Sequence, residues 1–208
     1  MSEKKQGPEG QSPSLRPKDP LAADFRNFLY TAWKHLGLPA PTRLQYHLAA
    51  YLQHGPRRRC IQMFRGASKS WCTAAYVLWL LYCDPDRNIV VVSASKQRSD
   101  AFTTFCLRLI DEMPELAHLR PREGQRRSMV SFDVAPAKPS QTPSVLSIGI
   151  FGNMTGFRAD EIIPDDTEVP NNSETITQRE KLSERIKEFE ALLKPQGDRK
   201  STRLNSSH

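Results

Sequence analysis

Apolar positions along the chain switch between helical spacing, a period of about 3.6, and strand spacing or short unbroken runs, and the switches mark its elements. Phe25, Phe28, Leu29, Ala32, Trp33 and Leu36 recur at helical spacing. Asp19-Pro20 upstream gives a cap and a first helical residue, and Gly37 gives the stop. Leu38-Pro39-Ala40-Pro41 reads as a stiff linker. Thr42 caps a second predicted helix, with Leu44, Leu48, Tyr51 and Leu52 on one face and Gly55 at its end. Cys60 to Phe64 predicts a strand and Cys72 to Cys83 a helix. After the turn at Asp84-Pro85-Asp86, the β-branched run Asn88 to Val92 predicts a strand buried on both faces.

A long helix follows, carrying Ala101, Phe102, Phe105, Leu109 and Ile110 and ending near Pro114. Met129 to Val134 and Ser144 to Phe151 predict two further strands. Ala159 to Pro164 predicts a short one ending in Asp165-Asp166. Asn172-Ser173 caps a last helix with Ile186, Phe189, Leu192 and Leu193. Strands alternating with helices in this way predict a three-layer α/β domain with a mainly parallel sheet and an N-terminal helical extension.

The two ends depart from the pattern. Residues 1–20 hold almost nothing to bury and read as a disordered arm. Arg199 to His208 has no periodicity and reads as a non-native tail, which leaves 21–198 as the domain. The formal net charge is +7; removing Arg199, Lys200 and Arg203 leaves +4, which weakens any argument from charge. Apolar content of 38% and charged content of 25% describe a soluble protein, without a membrane-length apolar run or a signal core. Cys60, Cys72, Cys83 and Cys106 lack C-x-x-C spacing and each lies in an apolar run, so buried reduced thiols are expected. Arg57-Arg58-Arg59 reads equally as a solvated strand edge or as a phosphate or nucleic-acid contact. Leu116 to Ser128 is polar and basic.

The chemistry concentrates in Phe64-Arg65-Gly66-Ala67-Ser68-Lys69-Ser70-Trp71, between the first strand and its helix. Strand, small-residue loop, Lys-Ser and helix form the layout of a phosphate-binding loop. Its backbone N–H groups face phosphate oxygens, Lys69 reaches the terminal phosphates, and the Ser70 hydroxyl ligates Mg2+. Met63 and Ser68 stand where the common pattern has Gly. A strand ending in carboxylates completes such a site. Glu161 to Asp166 fits a Walker B segment expected beside the loop strand. Asp165 would hold the metal through water, and Asp166 or Glu168 would polarise the attacking water.

Arg65 lies in the loop where it could neutralise charge on the terminal phosphate, a role worth about 10³-fold in rate. Gln45 could read the adenine edge or sit as a polar position on an amphipathic helix. Arg158 is a further candidate for a phosphate or DNA contact. His47, His54 and His118 are isolated. Trp33, Trp71 and Trp79 read as packing residues, and Trp71 is also carried with the loop's binding set.

In order along the chain stand Pro41-Thr42-Arg43-Leu44-Gln45-Tyr46, Phe64 to Trp71, Val91-Val92-Ser93-Ala94-Ser95-Lys96, Thr155-Gly156-Phe157-Arg158-Ala159-Asp160 and Asp165-Asp166-Thr167-Glu168-Val169-Pro170-Asn171-Asn172. Together these resemble the terminase large subunit of tailed phages (DNA maturase B, podovirus type), from about Ala22 to Lys194. The resemblance implies a P-loop NTPase of the ASCE/RecA-like type. It implies the ATPase part of a motor that packages double-stranded DNA into a procapsid, using ATP and Mg2+. The implied partners are the portal protein, the small terminase subunit and further copies in a ring, in the host cytoplasm and without a membrane.

The early loop arginine of that family falls on Arg65, its adenine-proximal Gln on Gln45, its Walker B Asp on Asp165, and its catalytic carboxylate on Asp166 or Glu168. The family normally has Gly where Ser68 stands. Pro164 removes a backbone donor from the acidic strand. The family's next core strand and its nuclease half have no counterpart in the reading of this sequence. The rival readings are a helicase-like DNA-stimulated ATPase of the same fold and a non-catalytic nucleotide-binding or docking module.

Overall fold

The computed structural model describes residues 19–194 and the backbone of 200–207. The expected arm lies, up to Lys18, outside the described residues. A short helix α1 (Pro20–Ala23) is capped by Asp19, and α2 (Phe25–His35) by Asp24. The helix α3 (Arg43–His54) opens with a capping box, in which the Thr42 hydroxyl accepts from the Gln45 N–H and the Gln45 amide oxygen accepts from the Thr42 N–H. Strand β1 (Arg58–Phe64) and helix α4 (Lys69–Cys83) flank the loop. Strand β2 (Ile89–Ser93) leads to α5 (Lys96–Glu112) and a 3₁₀ helix (Pro114–Leu119). Then come β3 (Ser131–Phe132), β4 (Val145–Gly149) and β5 (Glu161–Asp165), a single turn α6 (Pro170–Ser173), α7 (Ile176–Leu192) and β6 (Lys200–Ser207).

These strands form one sheet in the order β1-β6-β5-β2-β4-β3, parallel except for the β3–β4 pair. Successive residues of β2 serve opposite faces. Ile89 and Val91 join the core beneath α2 to α5, with Phe25, Phe28, Leu52, Tyr76, Leu78 and Ile110. Val90 and Val92 join a second core with Leu146, Ile162 and, from α7, Leu182, Phe189 and Leu192. The expected three-layer, mainly parallel α/β architecture is therefore present. Each fully buried aliphatic side chain contributes about 1.5–3 kcal/mol, so the doubly covered β2 anchors the sheet. Among the described residues no helix is long and apolar enough to cross a membrane.

The expected strand adjacency and the expected burial of all four cysteines change. The backbone of β6, which falls within the segment read as a tail, runs parallel between β1 and β5, so the acidic strand is two places from the loop strand rather than beside it. Ladder hydrogen bonds are made by main chain, so composition does not decide which segment fills such a gap. The β5–β6 register passes through Glu161, Ile162 and Asp165 and skips Ile163 and Pro164, the second of which has no N–H to donate. Cys60 and Cys83 are exposed, whereas Cys72 and Cys106 are buried as expected, and burial lifts the Cys72 thiol to about 12.

Arg59 is neither a strand-edge charge nor a polyanion contact. Its side chain is fully buried, 3.5 Å from Glu161, and donates to the Tyr51 and Leu52 carbonyls at the end of α3 and to the Tyr76 hydroxyl. Three arginines of the basic stretch after the 3₁₀ helix are likewise engaged internally. Arg120 donates to the Ile110 and Asp111 carbonyls, Arg126 binds Asp133 and the Ser140 and Gln141 carbonyls, and Arg127 pairs with Asp111.

Candidate nucleotide site

The loop between β1 and α4 is shaped by two left-handed residues. Gly66 has φ +93°, which glycine adopts without steric cost, and an added Cβ would meet open space. Ser68 has φ 60° and ψ 31° and precedes the first residue of α4. Left-handed backbone costs a non-glycine residue roughly 1–2 kcal/mol, so the loop keeps its curve against a local penalty. Behind the loop, the Gln45 amide nitrogen donates to the Ala67 carbonyl at 3.3 Å, which ties the start of α3 to it.

Facing the loop is the end of β5. The Lys69 ammonium, itself buried, is hydrogen-bonded to Asp166 Oδ1 and lies 3.7 Å from Asp165 Oδ1. Asp166 is also left-handed, with φ 49°, and this turns its carboxylate back toward Lys69. Asp165 is buried, and that burial raises its pKa; Lys69 and a hydrogen bond from Ser70 oppose the shift, and Asp166 adds to it. Asp165 Oδ1 has no hydrogen-bond partner among the described residues.

Between loop and strand end lies a cleft of about 850 Å³. Arg65 to Trp71 form one side, Ala94, Ser95 and Arg98 a second, and Asp166, Glu168 and Asn171 a third. Glu168 is exposed on this lining, whereas Asp166 is engaged by Lys69. Trp71 lines the cleft and packs on Phe105, ring centroids 5.1 Å apart. The segment after β5 is held by Asn172, whose side chain accepts from the Val169 N–H and donates to the Thr167 carbonyl.

Two expected contributors lie elsewhere. Gln45 is buried with its amide oxygen on Thr42 and its nitrogen on Ala67, and it is not part of the cleft lining. Arg158 donates to the Ala191 carbonyl at the end of α7. Sequence reasoning missed Arg98, which enters the cleft from the first turn of α5. The available signal was the small-residue turn Ser93-Ala94-Ser95 after a buried strand, with an arginine three residues on.

A Gly- and Ser-bent loop at a helix N-terminus, opposed by a carboxylate-tipped strand in a mainly parallel three-layer sheet, has the layout of a P-loop NTPase core. The fold is similar to the solved HK97 bacteriophage large terminase, with a TM-score of 0.60 and 12% identity over 88% of this chain and 37% of that one. It is also similar to a mutant of the Thermus phage P74-26 large terminase ATPase domain, with a TM-score of 0.50 and 14% identity over 83% of this chain and 67% of that one. At such identities the likeness is one of fold.

Sequence carries the assignment further. The chain is 51% identical over 176 residues to the terminase large subunit of Enterobacteria phage T3, and it belongs to the terminase large subunit family. That alignment covers 84% of this chain and 30% of the relative's length. No family model matches the chain.

Proposed function

We propose that this chain is the ATP-hydrolysing motor part of a terminase large subunit, driving double-stranded DNA into a procapsid. The observation that carries the reading is the apposition of Lys69 to Asp165 and Asp166 across a cleft walled by the phosphate loop. The portal protein, the small terminase subunit and further copies of the chain in a ring are the partners proposed with it, in the host cytoplasm.

In this reading the loop from Arg65 to Ser70, with Trp71 beyond it, cradles the phosphates of ATP, and Lys69 exchanges its carboxylate partners for phosphate oxygens. Arg65, exposed on the lining, neutralises charge that develops on the transferred phosphoryl group. Glu168 is assigned the role of orienting water and accepting its proton, because it is the more exposed of the two carboxylates on the lining. Asp166 then serves as the countercharge that keeps Lys69 in place when no nucleotide is bound. Gln45 acts from behind the loop, holding the Ala67 carbonyl.

The residues fit a divalent cation. Asp165 presents a buried oxygen with no hydrogen-bond partner among the described residues, and the Ser70 hydroxyl lies on the same carboxylate. Among the described residues no cluster of three His, Cys, Asp or Glu could hold a metal alone, which suits an ion shared with phosphate oxygens. Ser70 and Asp165 would hold Mg2+, whose charge, when bound, offsets that of the β- and γ-phosphate oxygens.

The test is titration of a fluorescent ATP analogue with Mg2+ into the wild-type chain and into Lys69→Ala. Binding that the substitution abolishes supports the proposal, and unchanged affinity rejects it.

A further inference from the structure

The cleft contains a cation that the proposed chemistry leaves unused. Arg98 lies on the first turn of α5, where the Ser95 hydroxyl caps its backbone N–H at 3.4 Å. It lines the cleft together with Ala94 and Ser95, and the turn after β2 that carries these residues lies beyond β5 from the loop strand β1. The residue is exposed, and among the described residues no hydrogen bond or ion pair holds its guanidinium. The other basic side chains of the sheet's upper edge are committed: Lys69 to Asp165 and Asp166, and Lys96 to Asp100. Arg65 and Arg98 are thus the exposed cations that meet the cleft from two different sides.

We propose that Arg98 reads the terminal phosphate of the bound nucleotide and so distinguishes a nucleoside triphosphate from a diphosphate. The inference rests on the nucleotide-binding reading of the same cleft. Its logic is positional. The phosphate loop surrounds the phosphates nearest the N-terminus of α4, and a cation carried beyond β5 meets the phosphate that projects farthest from that loop. A guanidinium offers a planar fork of donors, suited to two oxygens of one phosphoryl group. The α5 N-terminus beneath it adds the positive end of a helix of 17 residues. The charge also has a second effect at the site, because Arg98 favours the ionised form of Asp165.

A role confined to supporting Asp165 or the loop would weaken triphosphate and diphosphate alike, whereas contact with the terminal phosphate weakens only the triphosphate. The experiment is parallel titration of fluorescent ATP and ADP analogues, with Mg2+, into the wild-type chain, Arg98→Ala and Arg98→Lys. The expected result for Arg98→Ala is a loss of about 10-fold or more in ATP affinity, with ADP affinity held within about twofold of wild type, and partial recovery of ATP binding in Arg98→Lys. The melting temperature of Arg98→Ala should match wild type, since the exposed side chain holds nothing in place. Equal losses for ATP and ADP overturn the proposal, as does an unchanged ATP affinity. A loss of DNA binding with both nucleotide affinities intact also overturns it and reassigns Arg98 to the polymer. Wild-type chain that binds neither nucleotide overturns this proposal together with the ATPase reading. Wild-type chain that binds both but does not discriminate through Arg98 leaves the ATPase reading standing and removes this one.

Discussion

The Lys69 ammonium is shared by two consecutive carboxylates, hydrogen-bonded to Asp166 and 3.7 Å from Asp165, and it joins the first residue of α4 to the last residue of β5. The two carboxylates are not equivalent: Asp165 is buried with a raised pKa, and Asp166 is partly exposed and bent back by a left-handed backbone.

The buried member gives a pH prediction. A carboxyl whose folded pKa is raised favours the folded state while protonated, and its contribution is lost as pH rises from the unfolded value, about 3.9, through the folded one. Ionised Asp165 therefore opposes folding near neutral pH. Asp165→Asn is expected to melt higher than wild type at pH 7, with the difference shrinking toward pH 3, while Mg2+-dependent nucleotide binding is lost. Melting curves across that range, with nucleotide titrations at pH 7, check both halves.

Ser68 tests the loop's backbone penalty. Ser68→Gly relieves left-handed strain of roughly 1–2 kcal/mol and incurs about 0.4–1 kcal/mol of added unfolded-chain entropy, so a small net stabilisation is expected in urea denaturation. Ser68→Val places a branched Cβ at φ 60° and should cost about 2 kcal/mol or more. Equal stability of the two variants would show that the curvature is not borne at this residue.

Gln45 separates tethering from base recognition. Both ends of its amide are engaged by Thr42 and Ala67. Gln45→Ala should therefore destabilise the fold by about 1–2 kcal/mol and weaken ATP and GTP binding by the same factor. Gln45→Glu keeps the acceptor toward Thr42 and loses the donor toward Ala67. It should retain helix capping while still loosening the loop. A change in the ratio of ATP to GTP affinity would assign Gln45 to the base instead.

Arg59 and Glu161 form a buried ion pair at the end of the sheet away from the cleft. Removing one partner leaves an uncompensated charge, so Glu161→Gln should cost about 3–5 kcal/mol in urea denaturation. The double replacement Arg59→Met with Glu161→Leu should recover most of that loss, since neither buried charge remains. Nucleotide affinity of the folded double variant should stay near wild type.

The sequence by itself determined the local elements and the order of the motifs. The helical spacing from Phe25 to Leu36, the unbroken Asn88 to Val92 and the Lys69-Ser70 start of α4 are consequences of period, β-branching and capping, all of which act within a few residues. Tertiary structure decided what each polar side chain faces. Arg59 and Arg98 carry the same charge, and only packing buries the first against Glu161 and turns the second into the cleft. Only packing set the Gln45 amide on Thr42 and Ala67 and one Arg158 nitrogen on the Ala191 carbonyl. The place of β6 was also beyond sequence patterning, because strand pairing is a main-chain interaction and the side chains of Lys200 to Ser207 carry no period that reports it.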